Sequence, residues 1–242
     1  MKSVLICLLA LSATSCDSIN PAEEIFPYSI QCLIVSGDTE QTCFVYKTLK
    51  KYEQSNNLFV QNAAITVSNQ QNESRNYILV NDTLKRNRLY KSSTGFDVLP
   101  NTSYKLIANI GATTITGFVT TPDTFSILEV KKIQSDVLYE RAIQVTWNKS
   151  KNAHYYKVRF INPWETSPGK VYEQEWYFET EGTSIVLSAT PTTNNDSSTV
   201  EIIAADKNYY TATRLHYQQA GVENAYGFFS GGVKRVKKFV VK

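Results

Sequence analysis

The chain is poor in the residues that usually carry chemistry. It has two histidines, His154 and His216, one methionine, which is the initiator, and four cysteines in 242 residues. A Ser-His-Asp site needs one of those histidines, and no Gly-x-Ser-x-Gly elbow is present to hold its serine. Zinc ligation lacks any Cys-x-x-Cys or His-x-x-x-His spacing. Glycine-rich phosphate loops are missing as well. No metal, no cofactor and no catalytic residue is therefore expected. Carboxylates are scattered. Glu173, Glu175 and Glu179 alternate along one face of a predicted strand. A glycosidase takes two carboxylates from separate strands, whereas a solvated strand face asks nothing more of them. The expectation is a protein that is not an enzyme.

Neither sign of charge dominates. Lys and Arg total 25 against 22 Asp and Glu, for a formal net charge of +3. A nucleic-acid partner needs a basic face. The one concentrated run is Lys234-Arg235-Val236-Lys237-Lys238, which reads as a charged edge strand over 235–242 that resists edge-to-edge pairing. No nucleic acid is expected as a partner.

Long apolar runs are absent with one exception. Met1-Lys2 starts the chain, residues 4–11 are uninterrupted apolar, and Ser12-Ala13-Thr14-Ser15 leads to Cys16. This is the shape of a secretory signal, too short to span a bilayer as a mature helix. A cysteine directly after the small residues resembles a bacterial lipobox, whose thiol is acylated and whose chain is cut just before it. Ordinary signal peptidase cutting at the same bond is the alternative, with Cys16 then a free terminal thiol. A cysteine bearing several fatty chains satisfies the two-signal rule for stable anchoring. Residues 17–27 are polar and acidic with two prolines, as in a tether between lipid and domain.

What the chain has in abundance is β-forming residues: 15 Tyr, 11 Phe and 3 Trp, with Val, Ile and Thr plentiful. No helical repeat of apolar residues exceeds about two turns outside the signal. Strands are predicted over 28–36, 41–48, 63–68, 76–81, 88–92, 102–109 and 112–120. After Pro122 the pattern restarts over 125–133, 142–147, 155–161, 171–179, 184–188, 199–206, 208–217 and 235–242. The two histidines fall in or beside predicted strands next to tyrosines, where surface or structural roles suit them. Residues 49–61 form a longer connection. The predicted organisation is signal 1–15, lipidated cysteine and tether 16–27, one β-sandwich over 28–121 and a second over 122–242.

Ser36-Gly37-Asp38-Thr39 reads as a two-residue hairpin turn, which sets Cys32 directly opposite Cys43. Opposed strand residues stand about 4.5–5.5 Å apart, within the reach of a disulfide. The oxidising compartment favours a bridge worth roughly 2–3 kcal/mol; two buried free thiols are the alternative.

Leu99-Pro100-Asn101-Thr102-Ser103-Tyr104 resembles the E–F corner of fibronectin type III domains. That resemblance implies a structural Tyr104 whose hydroxyl ties the corner backbone. Ile143-Gln144-Val145-Thr146-Trp147 followed by Tyr156-Lys157-Val158-Arg159-Phe160 resembles the B and C strands of a second such module, with Trp147 at its core position. The lipobox, the corner, Thr120-Thr121-Pro122, Asn208-Tyr209-Tyr210 and the closing Asn224-Ala225-Tyr226-Gly227-Phe228-Phe229-Ser230-Gly231 together resemble uncharacterised Bacteroidetes-type outer-membrane lipoproteins. The resemblance implies an all-β chain of two tandem immunoglobulin/fibronectin type III-like sandwiches. It also implies an accessory role beside an outer-membrane transport receptor, and a turn over the closing segment.

Candidate binding residues are aromatic. Trp164 lies in the predicted loop 162–169, where an exposed indole stacks on a sugar or anchors a protein partner, and packing over the sandwich end is the alternative. Tyr226, Phe228 and Phe229 form a second aromatic loop, read as a site or as a closing plug. Tyr52, Leu58 and Phe59 form a third. The expected function is a lipid-anchored, non-catalytic envelope module on the outer membrane, facing the periplasm or the surface. Its partners are the membrane through Cys16 and a transport protein or glycan. A structural spacer or adhesin is the alternative, and a glycan-acting hydrolase a further one.

Overall fold

The computed structural model describes residues 26–48, 58–82, 87–93, 97–133, 142–167, 170–188, 197–215 and 219–240. Cys16 with the signal and most of the tether, Tyr52 and His216 lie outside the described residues. Among these residues sixteen strands and one helix follow in chain order: β1 Tyr28–Ser36, β2 Thr42–Lys47, β3 Ala64–Asn69, β4 Ser74–Asp82, β5 Asn87–Ser92, β6 Ser103–Ile110, β7 Thr113–Thr120, β8 Ile127–Ile133, β9 Ala142–Trp147, β10 Tyr155–Ser167, β11 Lys170–Thr180, β12 Ser184–Ser188, β13 Ser197–Ala205, α1 Lys207–Arg214, β14 Gln219–Ala220, β15 Val222–Glu223 and β16 Tyr226–Val240. The chain is all-β in class, as its composition predicts.

Two separate cores organise these strands. In the first, inward residues alternate along each strand: Ile30, Cys32 and Ile34 on β1, Ile65 and Val67 on β3, Tyr104, Leu106 and Ala108 on β6, Ile115 and Val119 on β7. The hydrogen-bonded order around this core is β16-β1-β2-β5-β4-β3-β6-β7-β15. Residues 219–223 then close the path, because β15 pairs with β7 and the adjoining β14 pairs with β16. Closure removes the exposed edges that an open sheet would leave. The second core lies between β8, β9 and β12 on one side and β11, β10, β13 and β16 on the other. Trp147, Tyr156, Val158, Phe160, Val200 and Ile202 fill it.

Strand β16 belongs to both. Its first half pairs parallel with β1, Ser29↔Tyr226 through Ser36↔Val233, and contributes Phe229 to the first core. Its second half pairs antiparallel with β13, Gly232↔Ala205 through Val240↔Ser197, and Val233 enters the second core. Strands on both sides of Pro122 therefore surround the first core. Beyond Val233 the other side of β16 has no strand partner among the described residues, so the basic run lies on an edge. There the cations are partly used internally. Arg235 Nε donates to Phe125 O at 3.0 Å, and Lys237 Nζ donates to Leu128 O at 3.2 Å.

The register of β1 and β2 is the predicted one, with Cys32 opposite Cys43. The two-residue turn is not observed. The ladder stops at Leu33↔Thr42, and the buried amide of Gln41 takes over the pairing. Its Oε1 accepts from Val35 N at 2.6 Å, and its Nε2 donates to Val35 O and Asp38 O at 3.0 Å. Both cysteines are fully buried and carry free thiols in the structure. Burial pushes the Cys43 thiol well up, and the adjacent Cys32 adds to the shift.

The predicted corner is present. Tyr104 is buried, and its hydroxyl accepts from Leu99 N at 2.7 Å. A second latch of the same kind stands in the other half, where the Tyr156 hydroxyl accepts from Ser150 N at 2.9 Å.

Three further local expectations fail. The strand predicted over 208–217 is helix α1 through Arg214. Asp206 caps it by accepting from Tyr209 N at 3.1 Å, and tertiary packing of Tyr209 overrides the strand preference of Tyr and Thr. The closing segment 224–231 is strand from Tyr226 onward, since pairing with β1 satisfies its backbone. The loop predicted over 162–169 is strand up to Ser167, the long β10–β11 hairpin running on past β13. Pro163 is tolerated because β10 beyond Ile161 has β11 as its one strand partner among the described residues.

Candidate functional site

The aromatic candidates scatter. Trp164 stands in β10, in register with Tyr172 across the hairpin. Phe229 is fully buried in the first core. Phe228 packs edge-on against Tyr209 at 5.8 Å between ring centres, and Tyr226 packs against Phe26 at 5.3 Å. Phe59 pairs with Tyr46 in an isolated bridge and stacks on Tyr90. Tyr226, Phe228 and Phe229 do not converge on a common surface; they hold β16 in place. Among the described residues no group of three metal-ligating side chains comes together, and no helix is long and apolar enough to cross a membrane.

Among the described residues, two depressions stand out. The smaller, about 290 Å³, lies on the outer face of β10, β11 and β13 beside the end of α1. Alternation brings Glu175, Tyr177 and Glu179 of β11 next to Lys157 and Arg159 of β10 and Glu201 of β13. These groups bind one another. Arg159 contacts Glu175 at 2.5 Å and Glu201 at 3.9 Å. The Tyr155 hydroxyl donates to Glu179 at 2.7 Å while accepting from Arg214 Nε at 2.5 Å. Burial, with Glu179 adding, pushes the Tyr155 phenol strongly up. Lys157 sits 5.1 Å from the Tyr209 ring centre. The carboxylates of this face are engaged by cations and phenols, as in a network that fastens α1 to the sheet.

The larger depression, about 450 Å³ and open, lies where the two halves meet. Strands β6 and β7 supply Ser103, Phe118 and Thr120, and the other half supplies Asn152, His154, Asp206, Lys207 and Asn208. Phe118 points out of the first core because Ile115, Gly117 and Val119 take the inward positions of β7; it is 55% exposed. Lys105, its cross-strand neighbour, has its ammonium 5.6 Å from the ring centre. Asn208 is pinned by its Nδ2, which donates to Phe229 O at 3.0 Å and Phe118 O at 3.2 Å. Of these residues, the alternation of β7 made Phe118 visible as an outward aromatic; nothing in the sequence placed it beside residues 152–154 and 207–208.

Asp206 forms the floor of this junction. Its carboxylate accepts from Ser230 Oγ at 2.5 Å and caps α1, and its own N–H donates to Gly231 O at 3.0 Å. Burial pushes the carboxyl up to about 6, against hydrogen bonds from Ser230 and from the N–H groups of Tyr209, Gly231 and Asn208 that pull it down. The folded state therefore holds this proton more tightly than the unfolded chain does. The associated stability is complete below about pH 4, is lost as pH rises through about 6, and amounts to about 3 kcal/mol. Asp206→Asn keeps an oxygen for the cap and removes the titration. Urea midpoints at pH 4, 5, 6 and 7 are expected to show the variant gaining on the parent as pH rises. Parallel curves for the two proteins would rule out the titration.

No family model matches the chain, and no curated protein matches it. Solved structures match the chain at low similarity. A DUF4785 family protein from Legionella pneumophila is 14% identical, with 72% of this chain and 51% of that one covered and a TM-score of 0.25. Bovine butyrophilin is 9% identical over 89% of this chain and 99% of its own, with a TM-score of 0.24. The FN1–FN3 domains of chicken CNTN1 are 15% identical over 90% of this chain and 65% of theirs, also at 0.24. The chain thus spans about half the length of the Legionella protein.

Proposed function

We propose that the chain is a non-catalytic lipoprotein of the cell envelope. It is cut before Cys16, anchored to the outer membrane through that thiol, and presents a binding or accessory module on the tether 17–27. The observation that carries this reading is the run from Met1 to Cys16: a short positive start, eight apolar residues, four small ones and then cysteine. The module reads as two tandem immunoglobulin/fibronectin type III-like sandwiches. Support comes from the Tyr104 latch in one half and from the three strands facing four across Trp147 in the other. The first sandwich, in this reading, takes residues 219–233 as well as those before Pro122. The engagement of Glu175, Glu179 and Glu201 by arginine favours binding over hydrolysis. The opposed, buried Cys32 and Cys43 are read as a disulfide, formed by exchange with a disulfide-bearing partner of the envelope, which takes both thiol hydrogens and leaves as its dithiol.

Intact mass spectrometry of the chain crosslinked in its native membrane tests this. The expected species begins at an acylated Cys16, lacks the two thiol hydrogens of Cys32 and Cys43, and carries a transport protein or envelope glycan. An unmodified Cys16 in a soluble fraction contradicts the reading.

A spacer role has one observation of its own. Thr121 is fully buried between the halves, its Oγ1 donating to Leu99 O at 2.7 Å and accepting from Thr102 N at 3.0 Å, while Asp123 N donates to Lys151 O at 2.9 Å. A spacer predicts a fixed elongated particle in small-angle scattering; a bending one counts against it.

A further inference from the structure

The junction depression differs from the other one in what its polar groups are doing. On the β10–β11 face the cations and carboxylates neutralise each other. At the junction, the Asn152 amide, the His154 imidazole and the Lys207 ammonium have no hydrogen-bond or ion-pair partner among the described residues, and the Asn208 carbonyl oxygen accepts nothing there while its NH₂ group is held fixed. Asn152 is also held in a left-handed turn at φ 65°. These groups surround an outward-facing phenyl ring. Asp206, the one carboxylate of the depression, is buried and already accepts from Ser230 and the helix N–H groups. The free charge is accordingly positive, from Lys207 and from Lys105 beside the ring.

A shallow, open concavity with one exposed aromatic ring, amide donors and acceptors around it and a positive rim suits a ligand with three properties. It has a weakly apolar face that lies flat on the ring, hydroxyls for the amides and a negative group for the ammonium. It is bound side-on, because an open depression cannot engulf it. An acidic peptide lacks the flat, hydroxyl-bearing face, and a bare phosphate would leave the ring unused. We propose that the junction binds an acidic oligosaccharide, with Phe118 as its stacking platform and Asn152, His154, Lys207 and Asn208 as its polar contacts. The site takes residues from both sides of Pro122, so it exists only while the junction stays closed. The inference rests on the reading of the chain as a binding module and is independent of how the chain is anchored.

The test is isothermal titration of the full chain in detergent micelles with short oligomers of galacturonate, of alginate and of hyaluronan. Neutral cellohexaose and polyglutamate serve as controls. At least one uronate oligomer is expected to bind, with affinity falling as salt rises. Phe118→Ala is expected to weaken that binding about tenfold or more, as loss of an aromatic contact does. Lys207→Gln is expected to weaken it less and to flatten its salt dependence. Both side chains lie on the surface of the depression, and the circular dichroism of each variant verifies that the fold survives. Absence of binding by every uronate oligomer overturns the proposal. So does equal binding of cellohexaose or polyglutamate, or an affinity that Phe118→Ala leaves unchanged. Because the state of Cys16 is read by mass in the same sample, failure of anchoring and failure of sugar binding are told apart.

Discussion

The fragment spanning residues 26–121 is expected not to fold on its own. In the sequence, Pro122 marks a boundary and this fragment contains every strand that a first sandwich needs. Its core, however, is completed by Val222, Ala225 and Phe229, which lie about a hundred residues further along. Without them β1 keeps β2 but loses its parallel partner β16 from Ser29 to Ser36, exposing a long apolar edge, and the ring of strands opens between β7 and β16. Removing a buried Phe side chain alone costs about 3–5 kcal/mol, against a whole-domain stability of roughly 5–15 kcal/mol. Circular dichroism of the fragment is expected to show no cooperative melt, and the protein to aggregate. A sharp two-state transition for 26–121 would mean that β16 is dispensable to the first core.

Gly227→Ala is expected to be strongly damaging. Gly227 lies opposite Ile30 in the parallel pair, at φ +101°, a region open to glycine. A methyl group there would stand 1.9 Å from Ile30 O and 2.9 Å from its carbonyl carbon, both backbone atoms that cannot turn aside. The strain and the lost rungs together put the cost at about 4 kcal/mol or more. For a chain of this size that is a fall in Tm of roughly 8–16 °C. Gly111→Ala provides the comparison. It also has positive φ, but nothing lies within 4 Å of the added carbon, so backbone strain alone is expected, at about 1 kcal/mol. Equal melting points for the two variants would show that the close approach at Ile30 does not hold the strand.

Much of this architecture was legible in the sequence because alternation is a local signal. β1, β9 and β12 begin and end where the pattern of inward Val, Ile and Leu does, and Cys32 faces Cys43 because each strand keeps its two-residue period. What was not legible is non-local. The family resemblance read 224–231 as a turn, yet glycine at 227, 231 and 232 is what lets that strand approach Ile30, Thr121 and Ile203. Helix α1 is written in Tyr, Thr and Asn, which favour strands or caps, and is fixed by Asp206 and the packing of Tyr209 against Tyr155. The candidate site suffers the same blindness. Phe118 was readable as outward-facing from its neighbours, but His154 and Lys207 gain a role only when β16 brings the two halves together. The aromatic run Tyr226-Gly227-Phe228-Phe229 looked like a binding loop because aromatic residues mark strands and sites alike.

The shared strand is tested most directly by a perturbation in one core read out in the other. All three tryptophans follow Pro122, and Trp147 is buried in the second core. Leu106 is fully buried in the first. Leu106→Ala is expected to cost about 2–5 kcal/mol. If β16 welds the cores into one cooperative unit, the urea midpoint followed by Trp147 fluorescence falls by the same amount as the midpoint followed by backbone circular dichroism. A tryptophan midpoint that stays at its parent value while the circular dichroism splits into two steps would contradict that account.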